Sequence, residues 1–394
     1  MKLADERIVR QAYEIAARSL KRCYDEKGIL AGRHQFEDYW ARDSMFASLG
    51  ALRLSDTEIV RKSLDLYLGW QKADGQLPYK VGANGGMILR WLGWHSKRKD
   101  VPVYKLPWWL YWGSWRVTED SLPRDANDLV VIAAARYWEV MGSRGWLVSR
   151  LEKLERALEW NEKWLSGGLI YEGWHANWAD SLRIKGFGLY TNVVHWKAMG
   201  EMAKMWAALG DGHNAGFWRR RQMEMGREIK YRLWNGSFFD GWEGDRGEHL
   251  VTDGNMLAIW WNLTDREEAR SIWNAFRGSG VFSPVPAENN YPRYDGGVVP
   301  TRLRLTGLSG YHNATMGWLW LGAAAALAIG KLDREAAEDL LVKMARVIVK
   351  YGEVYEVYDQ RGQPARGFLY QAEHPFAWSA GMFVESAAEL LKSP

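Results

Sequence analysis

The chain has 394 residues, a formal charge of +4 and 47% hydrophobic side chains. So small a charge gives no case for nucleic acid, which calls for a clustered basic face. The single cysteine, Cys23, excludes internal disulfides and any multi-cysteine zinc site.

The N-terminus, "MKLADERIVRQAYEIAARSL", is charged and amphipathic, without the apolar core of a secretion signal. The longest mostly apolar stretch, "MGWLWLGAAAALAIG" from Met316, is too short to cross a bilayer. The expectation is a soluble cytoplasmic protein with no membrane partner. The histidines are dispersed and the acidic residues lack the spacing of a calcium loop, so no metal ion and no cofactor are expected. Nothing in the sequence reads out an oligomeric state.

Helical periodicity and capping residues give about twelve helices in a single domain covering 1–394. Their expected starts are Ala4, Asp43, Asp56, Asn127, Arg144, Tyr190, Asn214, Thr252, Asp265, Tyr311, Asp333 and Phe376. They alternate in character. "ADERIVRQAYEIAARSLKR" has a strongly charged face, and the following "SMFASLGALRL" is apolar nearly all round. The same pairing runs on through "SDTEIVRKSLDLYLGW" with "LVVIAAARYW", and "VSRLEKLERALEWNEKW" with "VVHWKAMGEMAKMWAAL". It ends with "FWRRRQMEMGREIKYRLW" and "MLAIWW", "DREEARSIWNAF" and "GWLWLGAAAALAIG", and "DREAAEDLLVKMARVIVK" and "FAWSAGMFV". A helix polar on one side sits outside, and one apolar all round is buried. The pattern predicts an all-α (α/α)6 toroid, six inner helices within six outer ones.

Each inner helix opens on polar or aromatic residues. These are Arg42 and Asp43; Asp125, Asn127 and Asp128; Tyr190, Thr191 and Asn192; Thr252, Asp253 and Asn255; Tyr311, His312 and Asn313; Trp378 and Ser379. Any one of them can be an ordinary N-cap. Six clusters starting at the same end of a ring would converge on one funnel, concave, aromatic and polar, as a ligand site requires. Tyr39 and Trp40 add an aromatic floor before Arg42 and Asp43. Two long loops, 82–123 and 280–310, are expected at the mouth. The first holds Trp91, Trp94, Trp108, Trp109, Trp112 and Trp115 with several Lys and Arg residues, and is read as a lid or as a segment packed across the barrel. With 25 tryptophans and 18 tyrosines in the chain, either a thick aromatic core or a carbohydrate site follows, since sugar C–H faces stack on indole rings.

Glycoside hydrolysis needs two carboxyl groups flanking the scissile bond, one of them protonated. Asp180 follows Trp174 and Trp178 in "GWHANWADSLRIKGFGLY", surroundings that suit a general acid or, more plainly, an Asx turn. In "KYGEVYEVYDQRGQP", Glu353, Glu356 and Asp359 compete for the second role, and spacing alone does not choose among them.

The chain resembles the (α/α)6-barrel glycosidases: family 63 α-glucosidases, the amylo-1,6-glucosidase part of glycogen debranching enzyme, the mannosylglycerate hydrolases and, more distantly, the neutral invertases. "YWARDSMF" is similar to the W-x-R-D segment whose Asp holds the sugar, which implies that Asp43 binds hydroxyls with help from Trp40 and Arg42. "DGQLPY" resembles the D-G-x-I-P turn. "NWADSLRIKGFGLY" resembles the segment of the catalytic acid, implying Asp180, with Trp178 beside it. "SGYHNATMGW" resembles a pocket-lining segment, implying Tyr311, His312, Asn313 and Trp318, with Ala314 where glycine usually follows. "VYEVYDQRGQPARGFLYQAEHPFAWSAG" resembles the segment in which a Glu three residues before an Asp is the base, implying Glu356, with Trp378 at the following helix start. The resemblance implies inverting hydrolysis of an α-glycosidic bond in a small carbohydrate, either an α-glucoside or a mannosyl- or glucosylglycerate. The alternatives are a sugar 2-epimerase using His312 and His374, and a carbohydrate-binding protein without catalysis.

Overall fold

A computed structural model describes residues 2–82, 100–105, 122–367 and 370–391. The tryptophans of the expected lid, with most of its basic residues, lie outside these. Twelve long helices are described: α1 (Leu3–Arg22), α2 (Ala41–Arg53), α3 (Thr57–Gly69), α4 (Asp125–Met141), α5 (Arg144–Glu162) and α6 (Leu189–Ala208). The others are α7 (Gly212–Leu233), α8 (Thr252–Trp260), α9 (Arg266–Phe276), α11 (Leu319–Ile329), α12 (Arg334–Tyr351) and α13 (Ala377–Leu390), with a one-turn α10 (Thr301–Leu305) in the second long loop. Among the described residues every strand is two residues long. No described helix is long and apolar enough to cross a membrane.

Burial divides the helices as their charge does. All eleven residues of α11 are buried, whereas α7 buries six of its twenty-two and leaves the rest to water. The apolar helices pack on one another in series: α2 on α4, α4 on α6, α6 on α8, α8 on α11, α11 on α13, and α13 back on α2. The charged helices lie against them, α3 on α2 and α4, α5 on α4 and α6, α7 on α6, and α12 on α11 and α13. A salt bridge of 2.6 Å from Lys230 to Glu268 ties α9 to α7.

Four of the charged helices begin differently from the apolar ones. The N-cap side chains Ser143, Asp211, Asp265 and Asp333 each accept a backbone N–H at the start of α5, α7, α9 and α12, and Asp265 completes a capping box with Glu268. None of the six apolar helices has a capping bond from its N-cap side chain. Their orphan N–H groups are met by loop carbonyls instead: Ala41 by Tyr79, Leu189 by Gly241, Thr252 by Asn289 and Ala377 by Ala31, at 2.7–2.9 Å. The polar side chains at these starts are therefore free for other work.

One helix departs from the sequence expectation. It starts at Leu319 rather than Tyr311, because Ala314 and Thr315 hold positive φ angles of 54° and 60° that no helix continues through. Met316–Gly317 then pairs antiparallel with Tyr358–Asp359, bringing the segments of Tyr311 and Glu356 side by side.

Where α13 meets α2 the main chains nearly touch. A Cβ on Gly50 would lie 2.2 Å from the Gly381 carbonyl oxygen, and one on Gly381 would lie 2.5 Å from the Ala47 Cα. Around Gly69, in α3, nothing lies within 4 Å. Gly50→Ala is expected to destabilise the protein by about 1–3 kcal/mol through overpacking. Gly69→Ala is expected to leave stability unchanged or raise it by about 0.5–1 kcal/mol. Urea unfolding of both variants measures the contrast.

Candidate active site

Asp180 sits on a loop pinched at its neck by two backbone hydrogen bonds between Glu172 and Gly186, of 2.9 and 2.8 Å. Inside the loop, Asn177 Oδ1 accepts the Ala179 N–H at 2.9 Å and the Leu182 N–H reaches the Ala179 carbonyl at 2.9 Å. The His175 Nδ1–H donates to the Asp180 carbonyl at 2.7 Å. These bonds shape the loop, and Asp180 lines a cavity beside it. Glu172 is buried beneath the loop, where it accepts bonds from Asn177 Nδ2 (2.7 Å) and from the Thr191 hydroxyl. Burial pushes its carboxyl up to about 7, against those two bonds.

The cavity is open to solvent and lined by aromatic rings with a few polar side chains, as small-molecule sites are. Trp178, Trp318 and Trp378 form its aromatic wall, with Trp40, Phe36 and Phe376 at its rim. The Trp178 ring meets Trp318, Trp320 and Trp378 edge-on at 5.5, 4.8 and 5.9 Å. Its Nε1–H donates to Asp253, the polar residue of the α8 start.

Four polar groups join Asp180 on the lining: Arg42, Asp43, His312 and Glu356, with Tyr311 beside them. Arg42 grips Asp125 with Nε at 2.5 Å and Nη2 at 3.1 Å, and Asp125 also accepts the Tyr190 hydroxyl at 3.0 Å. The Asp43 carboxyl is pushed up to about 7 by burial, with the Arg42 charge opposing and the charges of Glu356 and Asp180 adding. His312 Nδ1 meets Ser181 Oγ at 2.7 Å; burial, then Arg42, drives its pKa well below the ordinary value, so it is neutral.

Glu356 is 2% exposed. Its carboxylate accepts the Tyr311 hydroxyl, the Tyr370 hydroxyl at 2.7 Å and the Glu373 N–H at 3.1 Å. Burial pushes it to about 7, and those three bonds pull the other way. The two carboxylates that competed with it in the sequence are engaged elsewhere. Glu353 pairs with Ser19 and Arg22, and Asp359 closes the 359–363 turn by accepting from Arg361 and Gln363.

Ten of the twelve expected site residues therefore share the lining. Tyr39 and Asn313 do not. The Tyr39 hydroxyl points to Asp25 at 3.2 Å, and Asn313 accepts the Tyr294 N–H at 2.7 Å, tying one loop to another. Several polar residues of the helix starts are braces as well. Asn127, Asn192 and Asn255 each accept a loop N–H, from Leu77, Ile170 and Phe239, and return bonds to loop carbonyls. His374 is absent from the lining that holds His312; its ring packs on His34 and Tyr355 at 4.8 and 4.5 Å.

Sequence reasoning missed Tyr370 and Glu373. The Glu373 carboxylate accepts four consecutive backbone N–H groups, Arg33 to Phe36, at 2.6–3.2 Å, while its own N–H holds Glu356. The only signal was the carboxylate in "YQAEHPF", which carries no spacing rule of its own. Also missed is a second, narrow hollow that shares Trp40, Arg42 and Asp180 with the first and adds Tyr79, Asp125 and His175.

Glu172 offers a measurable consequence. Its folded pKa of about 7 exceeds the ordinary 4.5, so between those values the folded state holds the extra proton and stability falls as pH rises. Glu172→Gln removes this slope. Relative to the parent, the variant is expected to gain stability between pH 5 and pH 8, read by urea unfolding at both.

No family model matches the sequence, and no curated protein is found similar to it. Its fold is shared with solved structures. A rhamnosidase from Klebsiella oxytoca with rhamnose bound superposes with a TM-score of 0.70 at 13% identity, over 96% of this chain and 63% of that one. A family 63 mannosylglycerate hydrolase from Thermus thermophilus, in complex with Tris, gives 0.67 at 14% identity over 95% of this chain and 99% of its own. A glycosidase variant in complex with glucose gives 0.66 at 13% identity, covering 98% of both chains.

Proposed function

We propose that the chain is an inverting glycoside hydrolase built on an (α/α)6 toroid, acting in the cytoplasm on a small α-linked carbohydrate. The substrate class is an α-glucoside or a mannosyl- or glucosylglycerate. One observation carries the reading: Asp180 and Glu356, from distant parts of the chain, face one indole-walled cavity in which Asp43 feels the charge of both. The shared fold of sugar- and glycerate-bound hydrolases supports it.

In this mechanism Asp180 enters protonated and gives its proton to the glycosidic oxygen as the bond to the anomeric carbon breaks. Water attacks that carbon from the opposite face and passes its proton to the Glu356 carboxylate. Inversion requires about 6.5–9.5 Å between the two carboxyls, room for the water. Asp43 and the indoles hold the ring of an oxocarbenium-like transition state.

A panel of α-glucosides, α-mannosides and glycerate conjugates tests the assignment. Asp180→Asn and Glu356→Gln are each expected to lower kcat about 10²- to 10⁴-fold on whichever substrate is cleaved, with unchanged circular dichroism. Binding without turnover across the panel, or full activity in either variant, contradicts it.

Tyr370 supplies a second check. Its hydroxyl favours the ionised form of Glu356. In Tyr370→Phe the base holds its proton more tightly. The acidic limb of kcat/KM, near pH 7 in the parent, is expected to move up by about one unit.

A further inference from the structure

The loop between α7 and α8 carries "FFDGWEGDRGEHLV", residues the reading above does not use. It folds into two turns, with the Asp245 N–H on the Trp242 carbonyl and the Glu248 N–H on the Asp245 carbonyl, both at 3.1 Å. Positive φ angles at Gly244, Arg246 and Gly247 make the turns tight. The result brings oxygens of Asp245 and Glu248 and a nitrogen of His249 within 4.8 Å of one another.

An independent observation points to a ligand there. Asp245 is 2% exposed, and while Oδ1 meets His249 Nδ1 at 2.6 Å, Oδ2 is buried and meets no side-chain donor, with only the Gly241 N–H nearby to favour the ionised carboxylate. A buried carboxylate oxygen so sparsely paired is costly. The nearby Asp240 adds negative charge, with its own Oδ1 taken by Asn235 Nδ2 at 2.7 Å and the Gly247 N–H at 3.0 Å. Among the described residues no Lys or Arg forms an ion pair with Asp240, Asp245 or Glu248. The His249 ring is fixed between Trp242 (6.0 Å) and Tyr294 (4.6 Å), and Glu248 is exposed, which leaves an entry path.

We propose that Asp245, Glu248 and His249 form a binding site for one divalent transition-metal cation, separate from the sugar cavity. The mixed donor set, one imidazole nitrogen with two carboxylates, selects Zn2+ over Ca2+, which takes oxygen ligands. Three protein ligands and a water complete a tetrahedral shell. The cation neutralises the buried carboxylate and cross-links the loop through the His249–Tyr294 contact. Tyr294 is bonded to Asn313, next to His312 of the cavity wall, so the site braces that wall and takes no part in the chemistry.

The test uses the full chain without an affinity tag, stripped with EDTA and dialysed, then titrated with ZnCl2 and separately with CaCl2 by calorimetry, with thermal unfolding in parallel. Zinc is expected to bind one per chain and raise the Tm. Glu248→Gln and His249→Gln are each expected to weaken zinc binding about tenfold or more, and Glu248→Gln, at an exposed residue, to leave the metal-free Tm near that of the parent. Asp245→Asn is expected to abolish it. Should Asp245→Asn fail to fold, the other two variants carry the test. Absence of saturable zinc binding, unchanged affinity in both Glu248→Gln and His249→Gln, or a response to calcium alone overturns the proposal.

Discussion

At the contact between α2 and α13 two backbones lie against each other with no side chain between, because Gly50 and Gly381 face one another there. The far ends of the chain meet across this seam. The Ala377 N–H bonds the Ala31 carbonyl, and the Glu373 carboxylate gathers the backbone of residues 33–36. Trp40, Arg42 and Asp43 on one side and Glu356 and Trp378 on the other are thereby pressed to the same cavity. A larger residue at either glycine would part them, and the site is assembled only while this seam holds.

The helix ends obey a second constraint. Loop carbonyls cap the buried helices, so polar side chains at their starts are released for the cavity or for bracing loops. Burial of polar groups near the cavity is visible in the carboxyls. Asp43, Glu172, Glu356 and Glu373 are all buried and all pushed up to about 7. Asp43 and Glu356 line the cavity, while Glu172 and Glu373 brace the loops around it; raised carboxyls gathered in a concave place are a feature of functional sites.

Much of this was legible in the sequence, for physical reasons. Charge on one face against apolarity all round separates outer from buried helices, and Arg144 and Thr252 begin their helices as read. Asp180, Glu356 and the indoles were singled out through ordered motifs, and they share one cavity lining. The misses share a cause. Asn313, Asn127 and Asn192 are the residue types of a binding site, yet their amides brace loops, a distinction that depends on neighbours far along the chain. Tyr311 reads as a helix start because the positive φ angles at Ala314 and Thr315 leave no mark in an Ala-Thr pair. Glu373 works through its main chain and a nest of amides, and sequence spacing records neither. The Asp245–His249 cluster escaped notice because its three ligand types fit no familiar spacing.

The account stands on water reaching the anomeric carbon from the face opposite Asp180. Proton NMR of the first turnover on a cleaved α-glycoside, before mutarotation, tests that directly. Release of the β-anomer is the outcome predicted by the roles proposed for Asp180 and Glu356, and release of the α-anomer would contradict them.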